Sequence, residues 1–195
     1  MSDVERLTSL TGWSGRGEAG TDWAQAEEEL DVALPADFRE LAGRFPMGTF
    51  QGYLTFNPGV YALADLCAGE VGRLRRWRDG TPDDDELEQF PGPPSRTPEF
   101  PFPLWPEPGG IFPWAEAEAG ATFFWLRSGA DPDSWPVVWW HGAELAWERF
   151  DGTATEFLIV LVTGQVDRAR LGAPVFPPPP RFDPVIPGQP ISVAG

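Results

Sequence analysis

Lysine is absent from this chain of 195 residues, cysteine and histidine occur once each, and 14 basic residues face 30 acids. Each scarcity closes off chemistry. Without lysine there is no Schiff-base nucleophile and no phosphate-loop lysine. Cys67 alone cannot form an intramolecular disulfide, which fits a reducing compartment. His141 alone cannot build a multi-histidine metal site, and no G-x-S-x-G elbow accompanies it for a serine triad. Its place beside Gly142 reads as a turn at a strand end. The longest apolar run, Phe157–Val162, is far too short to span a bilayer. Met1–Gly12 has no basic stretch followed by an apolar core, so no signal peptide is expected, and the cytoplasm is the expected location.

Acids, aromatics and prolines are plentiful instead. A formal net charge of −16 repels nucleic acid, whose affinity for proteins rests on cations. The same charge attracts a cationic protein and speeds its encounter. Ten Trp and 14 Phe supply a well-packed core, since aromatics bury the most area per residue. The length suits one domain with extensions.

Ser2 and Glu5 form a capping box ahead of Val4, Leu7 and Leu10, which predicts a short first helix. A second helix spans about Asp22–Leu30, with Trp23, Ala26 and Leu30 on one face and Glu27, Glu28 and Glu29 turned outward. A third starts at Pro35 and carries the stripe Phe38, Leu41, Ala42 and Phe45. Gly48–Asn57 reads as a strand or hairpin. A long helix follows Asn57-Pro58, with Leu63, Leu66, Cys67, Val71, Leu74 and Trp77 at helical spacing and four arginines in its last turns. Residues 81–110 combine the acidic cluster Asp83-Asp84-Asp85-Glu86 with eight prolines from Pro91 to Pro108, a composition that excludes helix or central strand. This insertion is expected to be a long loop, pinned to the body by Phe100, Phe102 and Trp105. From Ile111 onward, aromatic and β-branched runs predict an antiparallel meander, closed by a helix that the Thr153/Glu156 capping box starts and Gly164 ends. The whole is an α+β fold, an antiparallel sheet flanked by helices, over 1–172, with a proline-rich tail over 173–195 that is extended or disordered.

Several patterns admit a chemical reading and a plainer one. Gly15–Gly20 matches G-x-G-x-x-G, but the nucleotide motif needs a strand before it, and the spacing there is helical, so a loop is the better reading and no cofactor is expected. Glu116 with Glu118, or Asp131 with Asp133, has the form of a paired carboxylate for glycoside hydrolysis, yet acids two apart on loops are ordinary surface. The Trp-rich strands suggest a glycan platform, but strand alternation assigns about half of them to the core.

The segment Trp23–Leu30 followed by Leu34-Pro35-Ala36-Asp37-Phe38, then Gly48 ahead of a strand, resembles the SUKH superfamily, named partly for yeast Smi/Knr cell-wall regulators. Phe112-Pro113-Trp114, Trp135-Pro136-Val137-Val138 and Thr153-Ala154-Thr155-Glu156-Phe157-Leu158 continue the likeness over roughly residues 13–166. The resemblance implies a non-enzymatic scaffold that binds proteins: an immunity protein that neutralises a bacterial toxin, or a regulatory adaptor. Together with the charge, it implies a basic, nuclease-like toxin domain as partner, no nucleic-acid or membrane binding, and a monomer or weak dimer. The residues expected to meet the partner are Asp83, Asp84, Asp85, Glu86 and Glu88 of the acidic run, Trp105, Glu116 and Glu118.

Overall fold

The computed structural model describes residues 1–17, 20–83, 100–117, 120–141, 146–167, 171 and 179–185. Among these, helices and strands follow in the order α1 (Asp3–Thr11), α2 (Trp23–Leu30), α3 (Ala36–Arg44), β1 (Gly48–Phe50), β2 (Leu54–Phe56), α4 (Val60–Arg78), β3 (Ile111–Ala117), β4 (Ala121–Leu126), β5 (Val137–His141), β6 (Ala146–Phe150), α5 (Ala154–Val162) and β7 (Phe182–Pro184). The seven strands form one sheet in the order β6-β5-β4-β3-β2-β1-β7, each pair antiparallel. The protein is therefore α+β, as its composition and pattern predict. Among the described residues, no helix is long and apolar enough to cross a membrane.

Local chemistry starts the helices where expected. Ser2 caps α1 and Thr153 caps α5, each in a reciprocal box with the glutamate three residues on, and Asp22 accepts from Gln25 N–H to start α2. Pro35 stands one place earlier than expected, at the N-cap of α3, and its missing N–H costs nothing there.

The sheet is covered on both faces. On one face, Phe38 of α3 meets Trp125 and Phe56 edge-on, and Phe157 of α5 packs against Trp114, Phe123 and Trp139. Helix α1 completes this layer by packing on α3 and α5. On the other face, α4 buries Leu63, Cys67, Val71 and Leu74. Phe100 stacks on Trp140 and Phe102 meets Trp147 edge-on, so the end of the insertion is pinned to the body.

Two expectations change and a third gains detail. Alternation assigns half of the strand tryptophans to the core, but neighbours Trp139 and Trp140 are both buried, because helices cover one face while Phe100 and α4 cover the other. Glu27 does not face solvent: its Oε1 accepts from Leu34 N–H at 2.8 Å and from Arg39 at 3.3 Å, holding α2 to the turn that starts α3. The proline-rich tail, expected to be extended or disordered, is extended over Phe182–Pro184, which forms the edge strand beside β1.

Candidate functional site

Of the eight residues expected to meet a partner, Asp84, Asp85, Glu86, Glu88 and Glu118 lie outside the described residues. The other three fall in different surroundings. Asp83 pairs with Arg76 at 3.5 Å, just beyond α4. Trp105 is half-buried, its ring against Phe112 and its carbonyl accepting from Arg75 at 3.0 Å, so it anchors the insertion. Glu116 sits on β3 opposite Thr122 of β4. The Thr122 hydroxyl donates to Glu70 of α4 at 2.7 Å, and Glu70 also pairs with Arg73. Burial first, and the Glu70 charge second, raise the Glu116 carboxyl above the usual glutamate range.

The arginines at the end of α4 are engaged in several directions. Besides the Arg76–Asp83 pair, Arg78 bonds Glu107 at 2.8 Å, which raises the Arg78 pKa and lowers that of Glu107. These contacts clamp the 100–110 stretch onto α4.

A larger acidic surface comes from residues far apart in sequence. The N-termini of α1, α3 and α5 converge, and a carboxylate meets the backbone or cap of each. Glu5 Oε2 accepts from Ser2 N–H at 2.8 Å, and Glu40 Oε1 accepts from the Ser2 hydroxyl at 2.6 Å. Asp133 accepts from Ala36 N–H at the start of α3. Asp37 Oδ2 accepts from Thr155 N–H at 3.0 Å, and Glu156 Oε2 from Thr153 N–H at 2.8 Å. The physical cause is the partial positive charge and unpaired N–H groups at a helix start.

Two clefts open along this rim. One, of about 390 Å³, is lined by Asp3, Asp37, Glu40, Asp133 and Glu156 among others. The second, of about 360 Å³, shares Asp133, Thr153 and Glu156 and extends to Arg149 and Asp151. Arg149 is held by Asp151 at 2.6 Å. Backbone donors thus fix Glu5, Asp37, Asp133 and Glu156 of the rim, a hydroxyl holds Glu40, and Arg149 holds Asp151. Among the described residues, no group of three or more His, Cys, Asp or Glu side chains is disposed to hold a metal ion.

The motif residues acquire structural roles here. Asp37 of Leu34–Phe38 and Thr155 of Thr153–Leu158 are bonded across a separation of 118 residues, and Phe38 and Phe157, their apolar neighbours, are fully buried. Asp131 and Asp133 serve a 3-10 turn and the start of α3. Gly17 of the glycine-rich loop donates its N–H to Gly43 O at 3.2 Å, and a Cβ at Gly17 would fall 1.9 Å from Ala42 O. The loop is glycine-rich because it touches the α3 backbone, and α1 rather than a strand precedes it. His141 ends β5. The thiol of Cys67 is pushed up to about 11 by burial, against the opposing pull of Arg75 and Arg127.

Sequence reasoning misses the rim because its carboxylates come from separate segments. The available signal was the placement of Asp3, Asp37 and Glu156 within first turns. The chain matches no protein-family model, no curated protein and no solved structure, so the functional reading rests on the motif resemblance, this geometry and the residue chemistry.

Proposed function

We propose that this is a non-enzymatic, SUKH-type protein-binding domain that acts as an immunity protein, occluding a basic, nuclease-like toxin domain. The observation that carries the reading is the acidic rim where three helix N-termini converge, on a chain of net charge −16. Carboxylates already held by backbone donors lose little freedom when a cation docks, and preorganisation of this kind favours binding. A nuclease binds a polyanion, so its active site is cationic. An array of fixed carboxylates stands in for phosphates there and blocks access. The contiguous acids Asp83-Asp84-Asp85-Glu86 add to the same negative charge.

Co-expression tests this reading. The basic toxin domain encoded beside this chain should lose its toxicity when the chain is present, and the two should purify as a one-to-one complex. If no toxin gene lies beside it, and the chain instead binds a neutral host protein, the adaptor role replaces the immunity role.

A further inference from the structure

The edge strand β7 pairs antiparallel with β1. It has three residues, and its hold on the body is concentrated in one side chain. Phe182 is 7% exposed, and its ring sits 4.8 Å from Phe50, 5.0 Å from Phe45 and 5.1 Å from Trp13. Arg181 and Asp183, on either side, turn away from this pocket and pair with each other at 2.9 Å. Two backbone bonds flank the ladder: Gln51 N–H to Arg181 O at 3.1 Å, and Val185 N–H to Met47 O at 2.9 Å.

The seat is shaped for the ring. Gly48 forms its floor: a Cβ there would stand 2.4 Å from the Phe182 ring and 2.6 Å from Asp183 O. Contacts that do not involve β7 hold the seat in place. Trp13 Nε1 donates to Arg44 O at 2.9 Å. β1 is paired to β2 on its other side. Gln51, at φ 57° in the turn after β1, is fixed by its Nε2 donating to Val162 O at 3.1 Å. The chain is fastened again at Leu171, whose carbonyl accepts from Tyr53 Oη at 2.6 Å. Leu171 and Phe182 are thus two separate points at which the chain is held to the body.

We propose that the β1 edge is a strand-addition site for an extended polypeptide segment with an aromatic residue two places before a proline, and that Phe182–Pro184 fills it as a tethered, exchangeable ligand. Backbone pairing supplies affinity for any extended chain, and the Gly48-floored pocket supplies selectivity for the aromatic ring. Tethering raises the local concentration of the tail, on the order of millimolar for a short linker, so the site stays filled until a stronger segment competes. Proline at 184 offers no N–H, which limits further strand addition on the outer edge of β7. The site lies apart from the acidic rim and does not depend on the charge reading.

The probe is a labelled peptide of residues 179–185, titrated against the full-length chain. The Phe182→Ala chain should bind it saturably and about tenfold or more tighter than the unmodified chain, whose own tail reduces the available fraction of sites. A peptide with alanine in place of its phenylalanine should lose that binding, as should a chain carrying Phe182→Ala with Gly48→Val. Hydrogen exchange on the unmodified chain gives an independent reading. The amides of Gln51 and Val185 should exchange together, and at least about tenfold faster than those of β4, because the tail opens without the body. A cooperatively folded Phe182→Ala chain that does not bind the peptide would overturn the proposal. So would exchange of both amides only by global unfolding, a result that decides the matter even if the variant fails to fold.

Discussion

The two ends of the sheet are built on different plans. Strands β3 to β6 run five to seven residues each, and every residue of β4 is buried. Strands β2, β1 and β7 have three residues each, and β7 depends on one aromatic pocket. The long end buries rings on both faces and holds the body together. The short end is a place where a segment can be added or removed. Stability and recognition are thereby separated along one sheet, and the acidic rim lies off the sheet altogether, at the helix starts.

Truncation at the long end should produce the largest effect. Phe157→Ala removes a ring that touches Trp114, Phe123, Trp139 and Phe150, and should cost about 3–5 kcal/mol, read as a large drop in melting temperature. Trp23→Ala should cost less, because Trp23 is only half-buried and meets Phe38 from the side. If the two variants melt alike, the deeper burial assigned to Phe157 against the long end is wrong.

The rim should respond at an intermediate level. Asp37→Ala frees the Thr155 N–H at the start of α5, and loss of such a cap costs about 1–2 kcal/mol. Asp37→Asn keeps an acceptor and should recover most of the loss in a urea titration. Equal destabilisation by both substitutions would show that charge, and not the hydrogen bond, holds α5 to α3.

The smallest effect has the opposite sign. The raised Glu116 carboxyl means that the folded chain holds this proton more tightly than the unfolded chain. Its contribution therefore favours folding below the ordinary glutamate range and is lost as pH rises through the raised value. Glu116→Gln should melt slightly higher than the parent at neutral pH, with the gain vanishing in acid. A gain that persists unchanged in acid would separate it from the titration of Glu116.

These contrasts also mark what the sequence makes legible. Capping boxes at Ser2 and Thr153 are local, three residues long, and readable without the fold. The helical stripe of α4 is readable for the same reason. The inward turn of Glu27 is not, since it depends on where Leu34 and Arg39 arrive. Nor is the strand in the tail: prolines disguise it, and Phe182 matters only because Gly48, far upstream, leaves room for its ring. The acidic run at 83–88 is conspicuous because it is contiguous, whereas the rim gathers Asp3, Glu40, Asp133 and Glu156 from four separate segments.

Charge-dependent capture of a cationic partner is the central claim, and stopped-flow association with the basic toxin domain measures it directly. The triple variant Asp3→Asn, Glu40→Gln, Asp151→Asn removes three rim charges while keeping hydrogen-bonding side chains in place. The association rate of the unmodified chain should fall steeply with added salt, and the variant should associate about tenfold more slowly at low salt, with a shallower salt dependence. Identical rates for both chains across the salt series would contradict the claim that the rim receives the partner.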